Sequence, residues 1–286
     1  MVRTSENDIC ALCFQRAKLI RSHLIPSAVY KICRAPGANN QNPLMVTDDR
    51  AVQTSAQLQI PLLCNQCEDS LNKRGERKII PLLARSAQDF PMLEALKRTR
   101  PSVLDHDLAA FELRKIRDFP VDELIHFAIG MYWKASVHSW NSRTALPRVE
   151  LGAPCFSVRD AVRAKNLRRF VLGDGPLPED ITLSILLQPR PLIAFHLPFE
   201  VRGEPDDRTF LLYVPGLSFI LSVGPGVSGF MRLYSLSGPL GVALVTDTTE
   251  AHRQRFRDAL KTARVAPQLR EKLGIARQQL ESKPST

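Results

Sequence analysis

No run of apolar residues in this 286-residue chain approaches the roughly 18 that cross a bilayer as a helix. The opening stretch MVRTSENDIC lacks the apolar core of a secretory signal, so no signal peptide is expected. There is no internal repeat and no low-complexity tract. Together these absences argue against a helical membrane protein and against a repeat solenoid. They predict a cytoplasmic protein, kept reduced, with no membrane partner. Cysteine is scarce as well, at six residues. In a reducing compartment, cysteines that come in close pairs favour metal over disulfide.

Acidic residues are outnumbered, 29 against 39 Lys and Arg, leaving a formal charge of +10. A basic excess suits a polyanion, because each Lys or Arg set against a phosphate releases a counterion. Nucleic acid is therefore a candidate partner, although the same charge also fits a basic protein without one. The hydrophobic fraction of 44% and the charged fraction of 24% are those of a globular chain with a sizeable core.

Four of the six cysteines form two pairs, Cys10-x-x-Cys13 and Cys64-x-x-Cys67. A two-residue spacer lets one tight turn aim both sulfurs at the same ion, and four thiolates are the ligand set of one tetrahedral Zn²⁺. Such a shell leaves no position for water, so this zinc is expected to be structural. About 50 residues separate the pairs, a long insert that a treble-clef arrangement tolerates. Cys33 and Cys155 stand outside the pairs and are expected to be small buried hydrophobes.

Along the chain, 34–43 is rich in turn formers and reads as a loop. Pro26 to Ile32 predicts a short helix with proline in its first turn. After Cys64 the sequence reads as a turn entering a helix, which Gly75 weakens or bends. Residues 88 to 140 look helical: one helix starts near Asp89, a second covers Asp105 to Arg117, and a third follows Pro120. The third carries Leu124, Phe127, Ala128, Met131 and Ala135 at helical spacing, a stripe that predicts core packing. Ser157 and Asp160 resemble a capping box opening a basic helix. Its Arg159, Arg163, Lys165, Arg168 and Arg169 form either a phosphate-contacting surface or a solvated face. From 180 to 246, ITLSILL, LIAFHLPFEV, TFLLYV, LSFILSV, FMRLYSL and VALVT predict an antiparallel sheet. The tail from 248 returns to helix.

His23 lies between the cysteine pairs, in the run Ser22-His23-Leu24-Ile25-Pro26. A strand leading away from the first knuckle would carry it over the helix that begins near Cys67, whose face includes Glu68, Asn72 and Glu76. Neutral imidazole can take a proton from water, making a nucleophile for a phosphodiester. Carboxylates can hold a hard cation such as Mg²⁺ or Mn²⁺. Each residue also has a plainer use: His23 on a backbone carbonyl, Glu68 at a helix N-terminus, Glu76 in a surface ion pair, Asn72 as a polar helix position. His106, His126, His138, His196 and His252 read as structural.

The CxxC pair, the Ser-His-x-Ile-Pro run, the loop and Leu62-Leu63-Cys64-x-x-Cys67-Glu68 together resemble the HNH endonuclease superfamily. They are most similar to a bacterial and phage branch in which one glutamate follows the second knuckle and another follows within the next turns, as Glu68 and Glu76 do. Met131 to Ser136 also resembles a helical segment of that branch. The specific motifs cover about residues 10 to 80. The resemblance implies a zinc-braced ββα-metal core, His23 as general base, Glu68 as ligand of a catalytic Mg²⁺ or other divalent cation, and DNA as substrate. It also implies a setting in conflict between phage and host. The chain departs from the commoner motif at Ser22, where a metal ligand precedes the base, and at Glu68, where a histidine ends the motif. The middle asparagine has four candidates: Gln53, Gln57, Gln59 and Asn65.

The expected architecture is α+β in three parts. Residues 1–85 form the zinc-braced module, 86–175 a helical segment, and 176–286 an antiparallel sheet with C-terminal helices. The expected function is metal-dependent DNA hydrolysis; the alternative is a non-catalytic zinc-dependent module that binds nucleic acid or a protein. The C-terminal part would position substrate, bind a partner or assemble copies of the chain.

Overall fold

The structure is a computed structural model that describes residues 8–34, 44–46, 50–53, 55, 57–86, 88–138, 140, 161–203, 207–227, 229–248, 250–251, 253–254, 257–258 and 264–265. The fold is mixed α+β, with the four-cysteine cluster near the N-terminus, helices in the middle and a seven-stranded, mostly antiparallel sheet toward the C-terminus.

The N-terminal part opens with the short strands β1 (Asp8–Ile9) and β2 (Arg16–Ala17), paired antiparallel around the first cysteine turn. Strand β3 (Leu19–His23) leads to α1 (Ser27–Ile32), and the predicted proline sits at its N-cap. Strands β4 (Leu44–Val46) and β5 (Arg50–Gln53) form a small ladder. The expected loop at 34–43 lies outside the described residues except for Arg34. Strand β6 (Gln59–Cys64) then returns antiparallel to β3 and runs without a break into α2 (Asn65–Leu71).

The helix after α2 is not uniform. Residues Asn72–Glu76 widen into a π-helical turn before α3 (Arg77–Ile79) restores the α geometry. Gly75 sits in that turn, as the sequence anticipated, and the reason is a close approach. A Cβ on Gly75 would lie 3.0 Å from the backbone N and Cα of Phe127. Gly75→Ala is therefore expected to push two helices apart and to cost about 1–3 kcal/mol, as overpacking does. Urea unfolding of the variant against the parent measures it.

Phe127 belongs to α5 (Val121–Val137), the central helix. Leu124, Phe127, Ala128 and Met131 are buried as the stripe predicted. So are Ile125, Ile129, Tyr132 and Trp133, because α5 is covered on more than one side; a helix apolar all round belongs in an interior. On one side it meets the N-terminal module through Gly75. On another it meets the sheet, where the Tyr132 hydroxyl donates to the carbonyls of Phe219 (2.8 Å) and Phe210 (3.2 Å). Helix α6 (Ala161–Leu172) packs beside it. The capping box at 157–160 lies outside the described residues.

The sheet runs in the order β10 (His196–Gly203), β11 (Arg208–Val214), β12 (Leu217–Val223), β9 (Ile181–Leu187), β13 (Val242–Thr246), β8 (Leu108–Glu112), β7 (Val103–Asp105). Every neighbouring pair is antiparallel except β13 with β9. The Pro215-Gly216 turn between β11 and β12 needs glycine twice over: φ is +87°, and a Cβ would meet the Phe90 ring at 2.7 Å. Pairing Pro with Gly in this way is the usual means of supplying a positive φ.

Three expectations are corrected here. The segment 105–117 forms no helix; it supplies the β7–β8 hairpin and a short 3₁₀ turn, because β8 pairs along its whole length with β13 and that ladder overrides local propensity. The first four residues of FMRLYSL lie in helix α7 (Gly229–Leu233) instead of a strand. The chain leaves β12 beside Ile181 and must step over β9 to enter β13, so this stretch bridges and does not pair. Helix α4 (Pro91–Lys97) starts one residue later than a cap at Asp89 would set it: Phe90 is the N-cap, and the Asp89 carbonyl closes a turn with Arg85.

Candidate functional site

The four sulfurs of Cys10, Cys13, Cys64 and Cys67 all lie within 4.8 Å of one another. Cys13 Sγ is 3.9 Å from Cys64 Sγ. A tetrahedral ion with Zn–S bonds of about 2.3 Å needs sulfurs about 3.8 Å apart, so the set fits one Zn²⁺. The donor chemistry agrees, because thiolates select zinc over hard cations. The Cys64 backbone N–H donates to Cys10 Sγ at 3.3 Å. Burial pushes the Cys10 thiol up, but backbone bonds at Cys13, Cys64 and Leu12 outweigh it and hold its pKa below the ordinary value. Cys33 is apart from this group; it packs against the core, and burial lifts its pKa to about 12. Cys155 lies outside the described residues.

The knuckles are braced from outside. Phe14, just after the first pair, takes a left-handed φ of 61°. That conformation costs a residue with a Cβ roughly 1–2 kcal/mol. Arg168 of α6 covers it: its guanidinium lies 4.1 Å from the Phe14 ring centroid and donates to the Leu12 carbonyl at 2.6 Å. Arg168 is therefore turned onto the cysteine turn and not offered to phosphate. Lys165 and Arg169 are exposed, whereas Arg159 and the Arg163 side chain lie outside the described residues. Arg168→Ala should retain zinc and lose about 2–4 kcal/mol of stability, the worth of one such contact and one charged hydrogen bond. Denaturation combined with elemental analysis tests it.

The frame then positions His23. In the β3–β6 ladder Leu19 stands opposite Cys64 and His23 opposite Gln59. Cys64 ends β6, Cys67 lies in the first turn of α2, and Glu68 follows it. The cluster fixes both the strand that ends in His23 and the start of the helix that carries Glu68. Glu76 joins them because of the wide turn. In an unbroken α-helix it would lie about 80° around from Glu68. The extra residue taken up by the π turn brings it back to within about 20°.

What the two carboxylates and the His23 backbone carbonyl surround is the ammonium of Lys134. Lys134 is 2% exposed. Its Nζ donates to the His23 backbone carbonyl at 3.1 Å and to Glu68 Oε1 at 3.3 Å, and lies 3.8 Å from Glu76 Oε1. The Trp140 indole N–H donates to the Lys134 carbonyl at 2.8 Å, fastening the end of α5. The burial of His23 pulls its pKa below 6.5; Glu68 opposes that shift, Lys134 adds to it, and a hydrogen bond with Gln57 favours the charged form. Burial pushes the Glu76 carboxyl up, with Lys134 pulling down and Glu68 pushing up.

The predicted residues thus divide. His23, Glu68 and Glu76 come together. Asn72 is exposed at the start of the wide turn and stands outside the buried cluster. Of the four candidates for the middle asparagine, Gln57 is the one bonded to His23; Asn65 is exposed on the first residue of α2, and Gln59 faces His23 across the ladder. The Gln53 side chain lies outside the described residues. Ser22 is fully buried, and its Oγ has no hydrogen-bond partner among the described residues. His126 stays elsewhere, with Nε2 2.9 Å from the Val171 carbonyl, and His252 lies outside the described residues. Lys134 was missed from sequence, although a signal existed. It falls on the buried stripe with Phe127 and Met131, and a lone lysine on such a stripe needs partners.

Among the described residues, the four cysteines are the one group of metal-ligating side chains close enough to share an ion. None of the described helices is long and apolar enough to cross a membrane. Comparisons with protein-family models, with curated proteins and with solved structures find no match.

Proposed function

We propose that the protein is a zinc-braced nuclease of the HNH type, hydrolysing phosphodiester bonds in DNA. One observation carries the reading: the residues His23, Glu68 and Glu76, singled out for their chemistry, meet around Lys134 beside the four-cysteine cluster on a strand–strand–helix unit, His23 through its backbone carbonyl. In this reading the unit is a ββα nuclease core and Cys10, Cys13, Cys64 and Cys67 hold its structural zinc. His23 takes the proton from the attacking water. Its lowered pKa suits the role, since the imidazole is neutral and free to accept a proton near neutrality. The Gln57 bond orients the ring. Exposed Asn72, Lys165 and Arg169 are open to the substrate backbone, and the overall charge of +10 favours a polyanion.

The resemblance also implies a divalent cation held by Glu68, and the residues as arranged do not fit one. Both carboxylates face the Lys134 ammonium. No step is therefore assigned to such an ion.

Plasmid incubated with the pure protein tests the reading. Cleavage by the parent should fall by about 10²–10⁴ in His23→Ala, the usual worth of a general base, while zinc content stays unchanged. Full cleavage by that variant would remove His23 from the role. Because neutral imidazole is the active form and its pKa lies below 6.5, the acid limb of the pH–rate profile should also fall below 6.5.

A second reading is a non-catalytic module that binds nucleic acid through the same zinc frame. It is favoured by the ion pairs themselves, which occupy both glutamates with a lysine. It predicts binding to DNA without cleavage under any metal condition.

A further inference from the structure

We propose that the Lys134 ammonium is the resident cation of the His23–Glu68–Glu76 cluster, so that the cluster takes no divalent metal and any hydrolysis there proceeds without one. The second half of this statement rests on the nuclease reading; the first half does not.

The argument begins with geometry. Three oxygens from three separate elements point at one nitrogen: the His23 carbonyl at the end of β3, Glu68 Oε1 on α2, and Glu76 Oε1 at the end of the π turn. An ammonium carries three donors and no acceptor, and two hydrogen bonds and one longer ion pair to oxygen suit it. Mg²⁺ would need its oxygens at about 2.0–2.1 Å and Ca²⁺ at about 2.3–2.6 Å. The oxygens stand at 3.1, 3.3 and 3.8 Å from Nζ. They would have to close in by about 1.0–1.8 Å around Mg²⁺ and by about 0.5–1.5 Å around Ca²⁺, and close-packed interiors resist such contraction. A second positive ion beside a buried ammonium would also be repelled.

The lysine is held there by the fold. Gly75 admits the α5 backbone to 3.0 Å from where a Cβ would stand, and that contact is at Phe127, two turns before Lys134 on the same face of the helix. Trp140 fastens the carbonyl of Lys134 itself. Lys134 is therefore a positioning residue: it ties the backbone of the base-bearing strand to both carboxylates.

Manganese is the probe. Full-length protein, freed of loose ions on a chelating resin and shown by elemental analysis to keep its zinc, is titrated with Mn²⁺ and read by electron paramagnetic resonance. The parent should bind no Mn²⁺ at this cluster. Lys134→Met, which keeps the stem and removes the charge, should gain one Mn²⁺ per chain, with affinity at least about 100-fold above the parent for two carboxylates and a carbonyl on a hard ion. Glu68→Gln added to that variant should abolish the gain. Tight Mn²⁺ binding by the parent, lost in Glu68→Gln, would overturn the proposal. So would a folded Lys134→Met variant that binds none. The parent titration stands by itself if Lys134→Met does not fold. Cleavage in the resin-treated buffer is the second readout. Undiminished cleavage there supports the proposal, and cleavage restored only by added Mn²⁺ or Mg²⁺ overturns it. If no cleavage occurs under any condition, the nuclease reading fails, while the titration still decides which cation the cluster holds.

Discussion

Cys64→Ser should deprive the chain of its zinc and unfold the N-terminal module, the largest effect expected of any single substitution here. Structural zinc sites have apparent binding free energies on the order of 10 kcal/mol. The whole net stability of a domain is about 5–15 kcal/mol, so loss of the ion removes an amount comparable to everything that holds the fold. The position makes it worse. Cys64 is both the last residue of β6 and the residue before α2, and its backbone N–H donates to Cys10 Sγ. Its removal releases the strand pairing and the helix start together. α5 then loses one of the surfaces that bury it. Elemental analysis should fall from about one zinc per chain toward none, and the unfolding transition should lose its cooperativity. Cys33→Ser is the control. Cys33 packs against the core away from the four sulfurs, so that variant should keep its zinc. A Cys64→Ser protein that stayed zinc-loaded and equally stable would refute the metal assignment.

Lys134→Ala should cost about 3 kcal/mol, the lower end of the 3–5 kcal/mol seen when one partner of a buried ion pair is removed. The lower end applies because Glu68 and Glu76 keep 22% and 23% of their side chains exposed, so water can partly replace the ammonium. The penalty has a pH signature. Burial already holds the Glu76 pKa above 4.5 and Lys134 restrains it. Without the lysine it rises further. A carboxyl whose folded pKa lies above its unfolded value favours the fold below the unfolded pKa, and that advantage is lost as pH rises through the folded one. The variant should therefore approach the parent as pH falls from neutrality toward 4.5 and diverge from it above. Denaturant unfolding of both proteins across that window decides it. A gap that did not change with pH would point to lost packing of the lysine stem instead of unpaired charge.

Features fixed by neighbouring residues are legible in the sequence. A CxxC turn is closed by residues three positions apart, and the four sulfurs of both turns gather. Period-two apolar runs became β9, β11, β12 and β13. Gly75 marked an irregular helix before any partner was known. The misses lie where long-range pairing competes with a helical pattern. Residues 108–112 have alternatives until β13, more than a hundred residues later, offers a ladder.

The candidate site divides the same way. The cysteine pairs, His23 and Glu68 are set by spacing and residue chemistry, so the sequence alone pointed to a thiolate cluster with a histidine and a carboxylate nearby; Glu76 joins them only through the π turn. The sequence could not say what fills the centre of that group. Lys134 lies 111 positions from His23 and 66 from Glu68. It reaches them because a glycine lets α5 approach the π turn and because the sheet covers the other side of that helix. Which cation faces a pair of carboxylates depends on distances across packed elements, and those distances exist only once the interior has closed.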